Sequence, residues 1–259
     1  MEHDLEQKII QANIELHQKE ARFYDRIHPE IFCKSEQNLI KNVLNQALAE
    51  IKQDKIKALD LGAGTGNITS KLLENEKVES IVAVDLSKEM LDELDKKAGI
   101  NPKLKMATKP ADVFLMDDEA QYDLITISSV LHHLPDYFQT IATVLEKLNK
   151  GGVFIIFHEP TSEKSKLLKF LEWLDVRIFT NLFLPTEIKK VAKSLDHTYS
   201  DYHVYHKFDL AGVKKNLEER KDLETVYFKR HNNFGLRIFR LIGNLIPIKN
   251  HFILAVKKK

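Results

Sequence analysis

A short glycine-rich segment limits, more than any other feature, what this chain can fold into. Residues 58–67 read A-L-D-L-G-A-G-T-G-N, so an apolar run ends in three closely spaced glycines, Gly62, Gly64 and Gly66. Glycine lets the backbone turn sharply and approach a ligand without a Cβ clash. Asp85 closes the next apolar run, where a carboxylate can accept hydrogen bonds from both hydroxyls of a ribose. The segment therefore predicts a strand, a loop and a helix that together bind an adenosine-containing group.

The spacing of the glycines distinguishes between adenosine cofactors. Dinucleotide-binding loops follow G-x-G-x-x-G and face a pyrophosphate with a helix N-terminus, whereas this loop reads G-x-G-x-G and has Asn67 where the third glycine would fall. Asp60 stands two residues before Gly62, and a carboxylate there would repel a pyrophosphate but can hold an ammonium group, directly or through water. S-Adenosylmethionine carries such an ammonium. The alternative is a nicotinamide-dependent oxidoreductase, which the spacing and Asp60 disfavour.

Four segments of the chain, in the expected order, resemble the class I S-adenosylmethionine-dependent methyltransferases, particularly the small-molecule branch called type 11. They are L-D-L-G-A-G-T-G-N (residues 59–67), V-A-V-D-L-S-K-E-M-L (82–91), Y-D-L-I-T-I-S-S-V-L-H-H-L (122–134) and L-N-K-G-G-V-F-I-I-F (148–157). The resemblance covers residues 23–160 and, weakly, the C-terminal strand. It implies an enzyme that transfers a methyl group from S-adenosylmethionine by in-line displacement.

The residues and the resemblance together predict the cofactor site. The predicted cofactor-binding residues are Tyr24, Asp60, Gly62, Ala63, Gly64, Gly66, Asn67, Asp85, Leu86, Met90, Asp112, Val113 and Ser128. The resemblance implies that Tyr24 covers the methionine moiety and that Asp112, with the backbone of the next residue, meets the adenine. Leu86 and Met90 would be apolar walls of the adenine pocket. Two alternatives stay open: Tyr24 and Phe23 merely seal the domain edge, or Met90 is ordinary helix packing.

Apolar runs and helical segments alternate through the centre of the chain. Strands are predicted near residues 56–61, 80–84, 122–128, 152–158, 223–229 and 251–256, and helices near 5–20, 36–51, 68–75, 87–97 and 137–148. Such alternation predicts an α/β fold with a doubly wound, mostly parallel sheet. The resemblance implies seven strands, the last antiparallel, in a Rossmann-like methyltransferase fold. Because ligands bind beyond the carboxyl ends of parallel strands, Gly62, Asp85, Ser128 and His158 are expected to converge on one edge.

We expect four segments along the chain. Residues 1–50 would form helices over the cofactor site, 51–160 the cofactor-binding core, 161–222 a helical substrate lid, and 223–259 the strands and the apolar helix that complete the core. Residues 167–184 and 234–248 are apolar on helical faces. They favour a lid over a largely apolar acceptor, with a dimer interface or a peripheral membrane contact as alternatives.

Composition narrows the partners and the compartment. The formal net charge is +1, so no global field attracts nucleic acid, and a small-molecule acceptor bound by a monomer or homodimer is expected. Cys33 is the only cysteine, which excludes an intramolecular disulfide and fits a reducing cytoplasm. The first residues lack the apolar region of a signal peptide, and no apolar run reaches membrane-spanning length.

Catalytic residues are harder to predict, because the sulfonium is already activated and alignment supplies much of the rate. A base is needed only for a protonated acceptor of high pKa. His133, His158 and Glu159 follow the fourth and fifth predicted strands, where they can reach an acceptor; alternatively, His133 packs beneath the cofactor and orients its loop. A methyltransferase-like module that binds the cofactor without turnover is a further alternative.

The remaining histidines do not predict a metal site. Those of the C-terminal third, His197, His203, His206 and His231, lack H-x-x-x-H spacing and neighbouring cysteines. Tyrosines lie among them at Tyr199, Tyr202, Tyr205 and Tyr227. These aromatic side chains would line a substrate pocket or lie on the surface.

Overall fold

The computed structural model describes residues 2–134, 136–161, 164–194 and 208–259, apart from the side chains of residues 2–7, 9, 112, 113 and 191–194. Its strands are β1 Ile56–Leu61, β2 Val78–Asp85, β3 Leu104–Thr108, β4 Tyr122–Ser128, β5 Leu148–Pro160, β6 Leu223–His231 and β7 His251–Lys258. Its α-helices are α1 Glu2–Glu20, α2 Tyr24–Ile27, α3 Pro29–Phe32, α4 Lys34–Glu50, α5 Asn67–Leu73, α6 Lys88–Ala98, α7 Ala111–Asp117, α8 Tyr137–Lys147, α9 Lys166–Leu182, α10 Thr186–Ser194, α11 Leu210–Glu218 and α12 Arg237–Leu245. Short 3₁₀ turns cover Ala21–Phe23 and Leu131–His133.

The described strands form one sheet in the order β3-β2-β1-β4-β5-β7-β6. Strands β1 to β5 run parallel to one another, and β7 is antiparallel to both β5 and β6. The predicted doubly wound, seven-stranded fold with an antiparallel last strand is confirmed. Strand β5 is longer than the predicted residues 152–158 because it pairs with β4 from Leu148 and with β7 as far as Pro160.

Helices cover both faces of the sheet, which is why the central strands read as nearly continuous apolar runs. In β1, Leu59 and Leu61 face the layer that contains α7, α8 and α11, whereas Ile56 and Ala58 face the layer that contains α4 and α5. Each face therefore buries its own apolar cluster. The strand ends, rather than the faces, are left to form a binding site.

Two apolar helices extend from the edge at which the parallel strands end. Helix α9 follows β5, and α12 connects β6 to β7. They share a small core of their own, formed by Leu168, Leu171, Phe234 and Phe239. Helix α11 instead packs on the main core through Val213 and Leu217, so, of the described helices in the predicted lid segment, α9 and α10 lie outside that core cluster. No helix among the described residues is long and apolar enough to cross a membrane.

Candidate functional site

The glycine loop turns from β1 into α5 along the edge where the parallel strands end. Gly62 N and Ala63 N donate to Val84 O at 2.8 and 2.9 Å, which fixes the loop against β2. Gly62 and Gly64 have φ of +69° and +53°, conformations that glycine adopts without a Cβ penalty. A Cβ on Gly62 would lie 2.0 Å from Val130 Cγ2, whereas one on Gly64 would meet nothing within 4 Å. The backbone at Gly64 therefore borders open space.

Asp85 closes β2 directly beside this opening. Its Oδ2 accepts from Gly64 N at 2.8 Å, and its Oδ1 accepts from Ser87 N at 2.9 Å. Burial raises the pKa of the Asp85 carboxyl, and the nearby His17 and the backbone donors oppose that shift. Each carboxylate oxygen has two lone pairs, so both oxygens keep capacity for a further hydroxyl donor such as a ribose.

A cavity of about 260 Å³ opens from this point. Its lining includes eight of the predicted site residues: Tyr24, Gly62, Gly64, Asp85, Leu86, Met90, Ser128 and His133. The other lining residues are Ile10, Asn13, His17, Val84, Lys109, Pro110, Ala111, Met116, Ser129, Val130, Leu134, Asp136, Gln139, Thr140 and Thr143. The open backbone at Gly64 and the adjacent carboxylate fit the ribose end of S-adenosylmethionine, and the apolar walls suit its adenine.

Four other predicted cofactor residues do not line this cavity. Asp60 is buried and accepts from Thr69 Oγ1 at 2.6 Å and Thr126 Oγ1 at 2.7 Å. Burial raises the pKa of Asp60 to about 6, and the two threonine hydrogen bonds oppose that rise. Its carboxylate lies beneath the loop, so the structure does not place it for direct contact with an ammonium in the cavity.

Ala63, Gly66 and Asn67 likewise shape the loop from outside the cavity. Ala63 packs in a small cluster between β2 and α6, and a Cβ on Gly66 would lie 2.3 Å from Leu94 Cδ1. Asn67 Oδ1 accepts from Gln37 Nε2 at 3.0 Å, which joins α5 to α4. The side chains of Asp112 and Val113 lie outside the described residues, as do His197, His203, His206, Tyr199, Tyr202 and Tyr205.

The N-terminal helices α1 and α2 contribute residues to the cavity wall. Tyr24 lines it, and the Tyr24 ring centroid lies 4.4 Å from that of His28. His28 Nδ1 lies 2.9 Å from Glu30 Oε1, and its Nε2 lies 3.6 Å from Glu20 Oε2. Burial alone would lower the pKa of His28, but the two carboxylates raise it to about 10. The two rings are inclined at 44°, so the imidazole of His28 packs against the Tyr24 ring.

The charge on His28 predicts a pH-dependent contribution to stability. A folded-state pKa of about 10, against a usual value of 6.5, gives stabilisation that is complete below 6.5 and is lost as pH rises through 10. We expect His28→Gln to lower the urea midpoint clearly near pH ~6 and scarcely near pH ~10.5. Urea unfolding of both proteins across this range measures the difference, and a difference that is constant with pH would contradict the assignment.

Helix α1 supplies cavity residues that the sequence analysis did not identify. Ile10, Asn13 and His17 line the cavity, and their spacing of three and four residues puts them on one helical face. His17 Nδ1 lies 2.8 Å from the Asn13 carbonyl oxygen, which can only accept, so Nδ1 carries the proton and Nε2 is the nitrogen that can accept one. The helical spacing was the available signal, but α1 is polar overall and nothing local marked that face.

Of the three predicted catalytic residues, only His133 reaches the cavity. It lies in the 3₁₀ turn after β4, and its ring centroid is 6.2 Å from that of His17 in an edge-to-face arrangement. Two imidazoles from distant parts of the chain therefore pack edge to face at the cavity. The catalytic role of His133 stays a prediction.

Glu159 is placed differently from the expectation that it reaches the acceptor. It is fully buried, and its carboxylate accepts from Val130 N at 2.7 Å, from Leu131 N at 2.9 Å and from His132 Nδ1 at 2.7 Å. Burial lowers the pKa of His132 to about 3, so His132 is a neutral donor to Glu159. Glu159 thus fixes the turn that carries His133 instead of facing the cavity.

His158 is also turned away from the cavity. The pairing of β5 with β7 is irregular between Ile156 and Glu159, and His158 has a φ of +54°. This bulge directs the buried ring toward α4, where His158 Nε2 lies 2.7 Å from Glu36 Oε1. Burial alone would raise the pKa of Glu36, but the imidazoles of His158 and His231 hold it well below its usual value.

His231 completes a cluster with Glu36 and His158. Its Nε2 lies 3.0 Å from Glu36 Oε1, and the three ligand atoms are within 4.8 Å of one another, which a metal ion can bridge. The separations of 2.7 and 3.0 Å are shorter than the roughly 3.3 Å between ligands of a tetrahedral zinc ion. We therefore describe a polar cluster in which Glu36 of α4 contacts His158 of β5 and His231 of β6, and the absence of a metal stays a prediction.

Comparisons with known proteins agree with this geometry. Residues 59–154 match the methyltransferase-domain family. The chain is 23% identical to the malonyl-[acyl-carrier protein] O-methyltransferase of Halalkalibacterium halodurans, over 88% of this chain and 86% of that protein. It is 28% identical to the demethylmenaquinone methyltransferase of Lysinibacillus sphaericus, over 68% of this chain and 73% of that protein.

A solved structure shows the same fold. The plantazolicin methyltransferase BpumL, in complex with S-adenosylhomocysteine, superimposes with a TM-score of 0.57 at 14% identity, over 98% of this chain and 99% of that one. Residues 59–154 thus form a methyltransferase domain, and with the glycine loop and the sheet order these similarities support a class I S-adenosylmethionine-dependent methyltransferase. Its cofactor is S-adenosylmethionine.

Proposed function

We propose that this methyltransferase transfers the methyl group to a small, largely apolar acceptor bound in the cavity beside His133. The observation that carries the proposal is the distribution of side chains around one cavity. Asp85 and the open backbone at Gly64 lie at one part of its lining. Further lining comes from apolar side chains of α1, α7 and the turn after β4, namely Ile10, Met116, Val130 and Leu134.

The chain's own residues divide the work of binding and orientation. When bound, S-adenosylmethionine supplies a methyl group on an activated sulfonium. We propose that Asp85 accepts from the ribose, that Leu86 and Met90 contact the adenine, and that Tyr24 covers the methionine portion. We retain Asp112 and Val113 as predicted adenine contacts and propose that Asp60 acts through its threonine partners on the loop.

The acceptor's chemistry is inferred from the cavity and from the net charge. The lining combines aliphatic side chains and two methionines with Asp85, the two imidazoles and further polar side chains such as Gln139 and Thr140, which suits an acceptor with an apolar body and a reactive polar atom. A net charge of +1 gives no general attraction to a polynucleotide. The relatives act on different acceptors by name, a malonyl-acyl carrier protein and demethylmenaquinone, so their names do not select one. The single cysteine leads us to propose a reducing, cytoplasmic compartment.

A methyl-labelling experiment tests the acceptor class. The protein is incubated with S-adenosylmethionine labelled in the methyl group and with separate lipid, polar-metabolite and RNA fractions. We expect label to appear in the organic phase of the lipid fraction. Label that stays in the aqueous phase and becomes acid-soluble only after ribonuclease treatment would replace this proposal by a nucleic-acid acceptor.

His133 is the proposed general base, which takes the proton from the substrate atom that receives the methyl group. Because general bases contribute about 10²- to 10⁴-fold, we expect His133→Gln to lower kcat by roughly that factor while changing the affinity for S-adenosylhomocysteine by less than about threefold. Turnover with the acceptor identified by the labelling experiment measures kcat. Calorimetric titration with S-adenosylhomocysteine measures the affinity. An unchanged kcat would remove His133 from catalysis, and a parallel test of His17→Gln would show whether the facing imidazole serves instead.

A further inference from the structure

The helices α9 and α12 present a second apolar surface, on the side away from their shared core. Phe170, Trp173 and Val176 on α9, and Ile238, Leu241 and Leu245 on α12, are each more than half exposed. We call these six residues the outer α9–α12 face. Large apolar side chains exposed together on helical faces can mark interaction sites.

The exposure is not a by-product of poor packing. The opposite sides of both helices are buried against each other through Leu168, Leu171 and Phe239. Asp175 of α9 accepts from Gly235 N at 2.7 Å and from Leu236 N at 2.9 Å, which fixes the start of α12 against α9. Each helix is therefore firmly placed while its outer side stays apolar.

The fully exposed charged residues of these two helices are all positive. Lys166, Lys169 and Arg177 on α9 and Arg237 on α12 are exposed. The two acidic residues of α9 are engaged: Glu172 pairs with Lys164 at 3.0 Å, and Asp175 binds the backbone. Helix α12 has no acidic residue. A chain with a net charge of +1 thus has exposed cations, and no fully exposed acidic residue, on the two helices that carry this apolar face.

The outer α9–α12 face also lies along the edge that carries the cavity. Strand β5 runs parallel to β4, and β6 runs in the same direction because both are antiparallel to β7. Helices α9 and α12 follow the carboxyl ends of β5 and β6, the edge at which Gly64 and Asp85 border the cavity. A surface bound by this face would therefore lie at the same edge of the sheet as the cavity.

We propose that the outer α9–α12 face docks on the surface of an anionic phospholipid membrane. Aliphatic and aromatic side chains enter the boundary between head groups and acyl chains, and the surrounding lysines and arginines meet the lipid phosphates. A second copy of this chain fits less well, because a symmetric contact would bring the same cations together. The proposal goes beyond the proposed function, since membrane binding requires neither cofactor nor acceptor.

Trp173 provides a direct probe, because it is the only tryptophan of the chain and belongs to the face. The protein is mixed with vesicles of phosphatidylcholine alone or with added phosphatidylglycerol, followed by flotation and tryptophan fluorescence. We expect flotation and a blue shift of the emission only with phosphatidylglycerol, both reversed by high salt. The double variant Ile238→Asp/Leu241→Asp should bind at least about tenfold more weakly.

A matched control separates the face from exposed apolar residues in general. Ile100 is fully exposed in the turn between α6 and β3, at the opposite edge of the sheet, and Ile100→Asp should bind vesicles as the wild type does. Failure of the folded wild type to float with anionic vesicles would overturn the proposal. So would a blue shift that depends on protein concentration without vesicles and accompanies a dimer in light scattering, since the face would then bind a second copy. Neither result depends on methyl transfer, so the proposed acceptor class is tested separately.

Discussion

Replacing Asp85 by alanine will weaken binding of S-adenosylmethionine by about 2–4 kcal/mol. The carboxylate lies at the end of β2 and already accepts from Gly64 N and Ser87 N, so its orientation is fixed before a ligand arrives. Its loss removes the charged acceptor for the ribose hydroxyls and releases the backbone of the glycine loop. Calorimetric titration with S-adenosylmethionine and S-adenosylhomocysteine, with NADH as a control ligand, measures the effect.

An exposed carboxylate on the adjoining helix provides the comparison. Asp92 on α6 pairs with Lys88 at 2.7 Å in solvent, and such a pair contributes little to stability. Asp92→Ala should therefore bind both sulfur ligands as the wild type does. If Asp85→Ala binds them equally well while its thermal unfolding is normal, the ribose contact is wrong and the adenosine must be held by other residues of the cavity.

Features encoded by local residue patterns were predictable from the sequence. The order of strands and helices follows from alternating apolar runs and helical segments, and β1 and β4 have the predicted bounds. The glycine loop and Asp85 were equally predictable. Three glycines after one apolar run and a carboxylate at the end of the next apolar run are recognised from strand and turn chemistry alone. Both elements border the cavity as expected.

Side-chain direction at the strand ends could not be predicted in this way. His158 follows an apolar strand just as a cavity residue would, but the bulge in β5 and its φ of +54° turn the ring toward Glu36, 122 residues away in sequence. Asp60 alternates with Leu59 and Leu61, yet its partners Thr69 and Thr126 come from α5 and β4. These outcomes depend on register and on contacts between distant segments, which a single sequence does not specify.

Substituting Gly64 by valine will abolish measurable cofactor binding, a loss of about 100-fold or more, while the protein still folds. Gly64 has a φ of +53°, it lines the cavity, and a Cβ there meets no protein atom within 4 Å. The side chain would therefore occupy ligand space instead of displacing the core. Backbone strain at positive φ should cost about 1–3 kcal/mol of stability.

The control for that strain is Gly151, which has a φ of +78° and also has open space where a Cβ would lie. It lies near the start of β5, at the edge opposite the cavity, so Gly151→Val should incur a similar loss in urea stability and bind S-adenosylhomocysteine normally. Gly66→Val should differ from both, because its Cβ would lie 2.3 Å from Leu94 Cδ1 and would disturb folding itself. The two variants share the backbone strain but differ in whether the new side chain enters the cavity. Equal affinity for S-adenosylhomocysteine in both would therefore mean that the cofactor does not pass over Gly64.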